Sequence, residues 1–146
     1  MSVPNEFALV APLFAVPLLL ASCVPAKAST AEPLSACTVT DGDTIRCGNE
    51  RIRLLGIDAP DKHCRRGRIC APGDPYASED ALAALMADQK LSIRRVGKDH
   101  YGRTLGMVYA GGQNLSCAQL SAGHAIYRAD WDNGGAVRRE CPSLAR

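Results

Sequence analysis

The sequence predicts an α+β domain built around a small five-stranded barrel with two to three helices, and three observations lead to that prediction. Short segments rich in Thr, Val and Ile are separated by turn residues, which is typical of strands. Residues 75–89 and 114–126 carry apolar side chains at helical spacing. These segments follow one another along the chain in the order strand, strand, strand, helix, strand, strand, helix.

Length and composition limit the chain to one ordinary domain, with or without a removable leader. It has 146 residues, of which 47% are hydrophobic and 22% charged, and this balance argues against wholesale disorder. No apolar run reaches the roughly 18 residues that indicate a membrane-spanning helix. The formal net charge of +2 is too small to indicate a nucleic-acid partner by itself.

The N-terminus is predicted to be an export signal, for which the residues leave two cleavage sites open. The small-x-small triplet at residues 26–28 would make 1–28 a signal peptide. Alternatively, residues 20–23 (LASC) resemble a bacterial lipobox, which would make 1–22 a lipoprotein signal and Cys23 the lipidated first residue. Either site predicts a periplasmic or secreted protein, attached to a membrane only if Cys23 is lipidated.

Cysteine usage also predicts an oxidising compartment. Seven cysteines are present, and loss or lipidation of Cys23 leaves an even six for disulfides. The favoured pairs join chain neighbours: Cys37–Cys47 across a hairpin, Cys64–Cys70 around a local loop, and Cys117–Cys141. A zinc site at Cys64 and Cys70 with His63 is disfavoured because the spacing matches no common zinc motif.

The elements of the mature chain follow from local patterns. Residues 37–47 are predicted to form two strands around an Asp-Gly turn. Residues 50–60 are predicted to form a third strand with a bend at Gly56. Residues 61–74 form a basic loop, after which Asp74 or Ser78 can cap the helix at 75–89.

The second half of the domain is predicted in the same way. Strands are expected at 91–96 and 103–110, followed by the helix at 114–126 with Gly123 near its C-cap. Residues 29–36 are predicted to be a polar linker before a domain spanning 37–146, and residues 128–146 show no clear pattern.

Two acidic motifs carry the chemistry that the sequence suggests. Asp43 lies in the turn Asp-Gly-Asp-Thr, and Asp58 ends an apolar strand before Ala-Pro-Asp. Hairpin-linked strands can bring these two carboxylates side by side, where they repel each other unless a cation bridges them. Oxygen ligands alone suit a hard ion such as Ca²⁺.

Two arginines complement this pair. Arg53 alternates away from the apolar side of its strand, and Arg103 follows a turn. Guanidinium groups donate paired hydrogen bonds to phosphate oxygens and stay charged at every working pH. A cation and two arginines at one site would therefore suit a phosphodiester.

Taken together, residues 41–44 (DGDT), residues 53–61 (RLLGIDAPD), a helix and residues 99–103 (DHYGR) resemble the staphylococcal nuclease-like family, also called thermonuclease or micrococcal nuclease. The resemblance covers roughly residues 37–127. It implies a five-stranded OB-like barrel and a calcium-dependent nuclease that cuts DNA and RNA and leaves 3′-phosphates. A monomer with no stable protein partner is expected.

The resemblance also implies roles for single residues. It makes Asp43, Asp58 and the carbonyl of Ala59 calcium ligands, and it assigns Arg53 and Arg103 to the reacting phosphate. Asp61 would activate the attacking water. Tyr101 and Tyr127 are added as candidate substrate contacts.

Asp61 is a departure from the family pattern, which has a Glu at this place in the best-studied members. The side chain is one methylene shorter, and small misplacements at a reacting centre cost about 10²-fold in rate. This departure leaves a second reading open, in which the domain is a weak or inactive nuclease kept as a nucleic-acid or protein binding module, or as a surface lipoprotein.

The remaining charged residues leave weaker alternatives. A basic run beside the site could follow a nucleic-acid backbone or could simply be solvated. It comprises Lys62, Arg65, Arg66 and Arg68. The three histidines show no Ser or Cys partner pattern, which argues against a triad hydrolase.

Overall fold

The computed structural model describes residues 30–146, so the predicted leader and both cleavage sites lie outside the described residues. Nine strands, three α-helices and one 3₁₀ turn make up this part of the chain. The strands are β1 (Glu32–Leu34), β2 (Cys37–Asp41), β3 (Thr44–Cys47), β4 (Glu50–Leu54), β5 (Ile57–Asp58), β6 (Leu91–Lys98), β7 (Thr104–Ala110), β8 (Gln113–Asn114) and β9 (Ile126–Tyr127). The helices are α1 (Pro75–Met86), α2 (Leu115–Ser121) and α3 (Ala136–Glu140), and the 3₁₀ turn is Ala129–Trp131.

The main sheet is a curled, mixed sheet with the strand order β1-β6-β7-β4-β3-β2. Its neighbours pair antiparallel except β4 and β7, which run parallel with Ile52 opposite Thr104. The predicted α+β, OB-like fold is confirmed. Five strands of four to eight residues form its body, in the order expected from the sequence.

One predicted boundary is wrong. Residues 29–36 were expected to be a linker, but Glu32–Leu34 forms an edge strand paired with β6. Leu34 packs against the main core, while the rest of the segment is exposed. An edge strand can be held by backbone hydrogen bonds alone. Because only one apolar side chain of this segment is buried, the sequence shows almost none of the alternation that predicts a strand.

The core lies between the sheet and the first two helices. Ile45, Ile52 and Ile93 from the sheet, Leu82 from α1 and Leu115 from α2 are fully buried within it. Burying each such side chain stabilises the fold by roughly 1.5–3 kcal/mol. This packing holds in place the end of the sheet that carries the acidic turn of residues 41–44.

Helix α1 begins as predicted and ends early. The Asp74 side chain accepts hydrogen bonds from the N–H groups of Tyr76 and Ala77, so it caps the first turn. The helix ends at Met86 rather than at residue 89, and Asp88 takes a positive φ of 56°. Three residues of the predicted helix therefore belong to the turn into β6.

The C-terminal segment, for which the sequence offered no pattern, folds around Asp132. Its buried carboxylate accepts hydrogen bonds from the backbone N–H of Val137 at 2.7 Å and from the Tyr127 hydroxyl at 2.6 Å. Val137 and Cys141 then pack with Leu55 in a second, smaller core. The short α3 is thus attached to the barrel by buried contacts and by a disulfide.

All three favoured disulfides are confirmed. They are Cys37–Cys47, Cys64–Cys70 and Cys117–Cys141. Cys37 and Cys47 lie directly opposite each other in the β2–β3 hairpin. Within residues 30–146, no helix is both long and apolar enough to cross a membrane.

Candidate functional site

The two acidic motifs meet where the β2–β3 turn touches the end of β5. One carboxylate oxygen of Asp43 accepts a 2.8 Å hydrogen bond from the backbone N–H of Ala59, and the other accepts one of 2.9 Å from the Thr44 hydroxyl. Asp43 and Asp58 are both buried. Their predicted juxtaposition is therefore a feature of the structure.

Gly42 makes this close approach possible. A Cβ atom at this position would lie 1.8 Å from Ser78 Oγ and 2.9 Å from the Ala59 Cβ. The Gly42 carbonyl also accepts a 2.7 Å hydrogen bond from the buried amide of Gln119. The same amide bonds the Ser78 carbonyl, so α1 and α2 together hold the turn.

Arg53 bridges the two carboxylates. Its guanidinium lies 3.1 Å from both carboxylate oxygens of Asp43 and 3.2 Å from Asp58 Oδ1. It also donates to the Ile57 carbonyl at 3.3 Å, and only 12% of its side chain is exposed. Arg53 comes from β4, whose alternate side chains Ile52 and Leu54 point into the core. The strand alternation therefore directs the arginine to the acidic side.

At Asp43, burial and the contact with Arg53 shift the pKa of the carboxyl in opposite directions. Burial raises the pKa of its carboxyl from 3.8 to about 7, although the neighbouring Arg53 acts in the opposite direction. The nearby Asp41 adds a further upward shift of this pKa. The pKa of the Asp43 carboxyl therefore stays above its ordinary value despite the contact with Arg53.

A cleft of about 680 Å³ opens beside Arg53, whereas Asp43, Asp58 and Ala59 lie behind this arginine and do not line it. It is lined by most of the predicted catalytic and substrate-contacting residues, including Arg53, Asp61, Tyr101 and Arg103. Asp61 is partly exposed and Tyr101 is exposed, so both are accessible from the cleft. The predicted catalytic residues thus share one cavity.

Arg103 is held in the cleft by the turn before β7. Its Nε donates to Asp99 Oδ2 at 2.7 Å, and its backbone N–H donates to the other oxygen of that carboxylate. Burial alone would raise the pKa of Asp99, but the hydrogen bonds from Arg103 outweigh it and lower the pKa. The guanidinium also lies over the Tyr101 ring, 5.4 Å from its centroid.

Tyr127 does not belong to this cavity. Its hydroxyl is bonded to Asp132, and its ring packs in the second core under Arg138. β9 pairs with β5 next to Asp58, and the Tyr127 side chain lies against Arg138 of α3. Its assignment as a substrate contact stays a prediction.

Two residues at the site were missed from the sequence. Arg128 lies 3.5 Å from Asp58 Oδ2, and its guanidinium covers the ring of Trp131 at 4.0 Å. The guanidinium of Arg53 lies 4.8 Å from the same ring. Arg128 and Trp131 lie in the segment 128–146, whose sequence shows no clear pattern. The only sequence signal for either residue was that Trp131 is the sole tryptophan of the chain.

The donor set fits a hard divalent cation. Asp43, Asp58 and the backbone of Ala59 offer oxygen atoms alone, which is the ligand type that Ca²⁺ selects, with water completing about six to eight positions. No group of three or more His, Cys, Asp or Glu side chains forms a ready-made metal cluster within residues 30–146. The strong contacts of both acids with Arg53 indicate that this pair requires a positive partner.

Comparison with known proteins identifies the family. Residues 51–140 match the family model described as staphylococcal nuclease homologue. This chain belongs to that family. The matched range includes the motifs around Arg53 and Arg103, whereas the turn that carries Asp43 precedes it.

Relatives of this family member carry two kinds of names. An uncharacterized endonuclease of Haemophilus influenzae is 35% identical over 92 residues, covering 60% of this chain and 47% of the relative. An uncharacterized endonuclease of Escherichia coli is 38% identical over 92 residues, covering 60% and 55%. The succinoglycan biosynthesis protein ExoI of Rhizobium meliloti is 35% identical over 125 residues, covering 81% and 64%. The chain thus spans about half the length of the two endonuclease relatives.

Proposed function

We propose that the protein is a calcium-dependent nuclease that hydrolyses phosphodiester bonds of DNA and RNA and leaves 3′-phosphates. One observation carries the proposal: Arg53, which contacts both buried acids Asp43 and Asp58, lines a cleft together with Asp61 and Arg103. Family membership and the names of two relatives support the same class of reaction.

Arg53 and Arg103 are the residues proposed to bind the reacting phosphate. Each guanidinium has five N–H donors, so hydrogen bonds to carboxylates leave others for phosphoryl oxygens. Tyr101 lies beside Arg103 at the exposed rim and can contact an adjoining sugar or base. Fixed positive groups at this point stabilise the negative charge that develops on the phosphoryl oxygens.

Asp61 is the proposed proton acceptor. A water oxygen attacks phosphorus while its proton passes to the Asp61 carboxylate, and the bond from phosphorus to the 5′ oxygen breaks. The departing oxygen takes up a proton from solvent. The phosphate then remains on the 3′ side, as the family resemblance implies.

Asp43, Asp58 and the Ala59 carbonyl are the proposed calcium ligands. When bound there, the ion supplies electrophilic polarisation of a phosphoryl oxygen. The three protein oxygens come from the β2–β3 turn and the end of β5, which the Asp43–Ala59 hydrogen bond holds together.

The loop 62–70 is proposed to bind the nucleic-acid backbone beyond the reacting phosphate. Arg65 and Arg68 line the cleft, and Arg66 is exposed beside them. Cationic side chains of this kind bind phosphate groups and make affinity fall with salt. We expect single-stranded nucleic acid to fit best, since a flexible strand can bend over the loop rim.

The decisive experiment is a cleavage assay on denatured DNA and on RNA, with calcium and then with a chelator. The oxidised protein is compared with Arg53→Ala and with Arg46→Ala, an exposed arginine on β3 outside the cleft. Calcium-dependent cleavage to 3′-phosphates is expected, reduced at least about 10²-fold by Arg53→Ala and unchanged by Arg46→Ala.

A binding module is the second candidate, and the Arg68–Asp61 ion pair favours it. Arg68 lies 3.3 Å from the Asp61 carboxylate and so competes for the group that would accept the proton. Nucleic-acid binding without cleavage by a folded, calcium-binding protein would refute the nuclease proposal and support this one. Cleavage that survives both chelator and Arg53→Ala would indicate a contaminating enzyme.

Export to an oxidising compartment is also proposed. The three disulfides support it, because such bonds persist in periplasmic and secreted proteins. Mass spectrometry of the protein from its native host distinguishes cleavage after residue 28 from lipidation at Cys23.

A further inference from the structure

Asp58 has an unusual number of cationic neighbours. Its side chain is only 1% exposed, yet three arginines contact it: Arg53 at 3.2 Å, Arg68 at 3.3 Å and Arg128 at 3.5 Å. A buried carboxylate needs a paired positive charge to stay ionised. The three arginines therefore share the neutralisation of one group.

Arg68 is held less firmly than the other two. The side chain of Arg53 is 12% exposed with three partners, and Arg128 is covered on one side by Trp131. By contrast, 42% of the Arg68 side chain is exposed, and the next residue, Ile69, is 93% exposed. The loop at this point is not packed on the barrel, so Arg68 can leave Asp58 without disturbing the core.

The contacts of Arg68 connect two proposed functions. One guanidinium nitrogen lies on Asp58, a proposed cation ligand, and the other lies 3.3 Å from Asp61, the proposed proton acceptor. A divalent cation held by Asp58 would compete with Arg68 for this carboxylate. Loss of the contact with Asp58 would in turn weaken the hold of Arg68 on Asp61.

The loop is built to return Arg68 to this position. Its chain turns at Arg65–Arg68, where the Arg68 N–H donates to the Arg65 carbonyl and Gly67 takes a positive φ of 85°. The Cys64–Cys70 disulfide closes the loop on either side of the turn. The turn and the disulfide thus keep the backbone of Arg68 beside the cleft.

We propose that Arg68 is a mobile counter-ion of the site: its guanidinium neutralises Asp58 and Asp61, and a divalent cation displaces it toward the substrate phosphates. This inference rests on the proposed function, because it takes Asp58 as a cation ligand. Displacement makes Arg68 a positioning residue that couples cation binding to release of Asp61.

Calcium titration by calorimetry tests the proposal without any measurement of cleavage. The oxidised protein is compared with Arg68→Gln, Arg68→Lys and Arg66→Gln. Arg66→Gln removes the same charge from the same loop, so it measures the general electrostatic effect. Thermal unfolding of each variant checks that it is folded.

Arg68→Gln is expected to bind calcium about tenfold more tightly than the unmodified protein, which is within the usual range for two coupled sites. Arg66→Gln should change the calcium affinity less than about twofold. The calcium affinity of Arg68→Lys should lie between those of the unmodified protein and Arg68→Gln, because lysine keeps a positive charge. Equal affinities for the unmodified protein and Arg68→Gln, or equal tightening in both glutamine variants, would overturn the counter-ion role alone. No calcium binding by any variant would overturn it together with the proposed cation site.

Discussion

The carboxylate of Asp43 and the backbone N–H of Ala59 are 2.8 Å apart, and this hydrogen bond joins two acidic motifs separated by 16 residues. It sets the distance between the β2–β3 turn and the end of β5, from which the proposed cation ligands come. Arg53 then lies between Asp43 and Asp58 because β4 pairs with β3, with Thr44 opposite Arg53. Backbone geometry, rather than side-chain flexibility, therefore determines the shape of the site.

Gly42→Ala should destabilise the protein and disturb this geometry. The new methyl group would lie 1.8 Å from Ser78 Oγ and 2.7 Å from the Ser78 Cβ, so α1 or the turn has to move. We expect a loss of about 1–3 kcal/mol in the free energy of unfolding, measured with a chemical denaturant. The control is Gly97→Ala, where no neighbouring heavy atom lies within 4 Å of the added Cβ. Equal losses in both variants would contradict this explanation.

Asp61→Glu should increase kcat if Asp61 accepts the proton from water. The longer side chain restores the reach found in the best-studied family members, and a gain of up to about 10²-fold is expected. Asp61→Asn should lower kcat by about 10²-fold or more, because it removes the base at nearly unchanged size. The measurement is steady-state cleavage of denatured DNA in calcium. Unchanged kcat in both variants would exclude Asp61 from the reaction.

Glu50 should make stability depend on pH in the acid range. A hydrogen bond from Arg95 lowers the pKa of Glu50 from 4.5 to about 2, burial opposes this shift, and a hydrogen bond from Thr104 adds to it. Since the folded pKa is the lower one, the stabilisation is complete above about pH 4.5 and disappears as the pH falls toward 2.

Glu50→Gln tests this dependence. About 30% of the Glu50 side chain and 36% of the Arg95 side chain are exposed, so solvent screening reduces the effect to about 1 kcal/mol. The free energies of unfolding of the two proteins should differ by this amount near neutral pH, and the difference should shrink below about pH 4.5 and vanish as the pH approaches 2. A difference that does not change with pH would mean that Glu50 acts through packing alone.

Loss of the Cys117–Cys141 disulfide should cost more stability than loss of Cys64–Cys70. The first spans 24 residues and ties the second core to α2, whereas the second spans 6 residues in an exposed loop. Replacement of Cys117 and Cys141 by Ala should lower the free energy of unfolding by about 3 kcal/mol. Replacement of Cys64 and Cys70 is the matched comparison, and an equal or larger loss there would contradict the prediction.

Local patterns in the sequence predicted the body of the fold. The β2–β3 hairpin, the bend at Gly56 and the Asp74 cap all depend on residues close in the chain, and each is confirmed. The parallel pairing of β4 with β7 and the edge strand β1 depend on partners some fifty or more residues away. Backbone pairing at that distance leaves no local trace.

The same distinction applies to the site. Asp43 and Arg53 could be placed together because β3 and β4 pair next to the turn that carries Asp43, and Asp58 follows Arg53 by only five residues along the chain. Arg128 contacts Asp58 across 70 residues, and Trp131 is positioned only after the C-terminal segment folds around Asp132. The surroundings of Tyr127 could not be predicted for the same reason, since its hydroxyl partner Asp132 lies in that segment.

The disulfide connectivity has a consequence for biogenesis. The six described cysteines pair two by two in chain order, and no bridge encloses or crosses another. A polypeptide threaded through a translocon N-terminus first would expose each partner directly after its mate, so indiscriminate oxidation of neighbouring thiols already gives the native pattern. In an exported chain, this order of pairing would reduce the need for an isomerase that reshuffles mispaired intermediates.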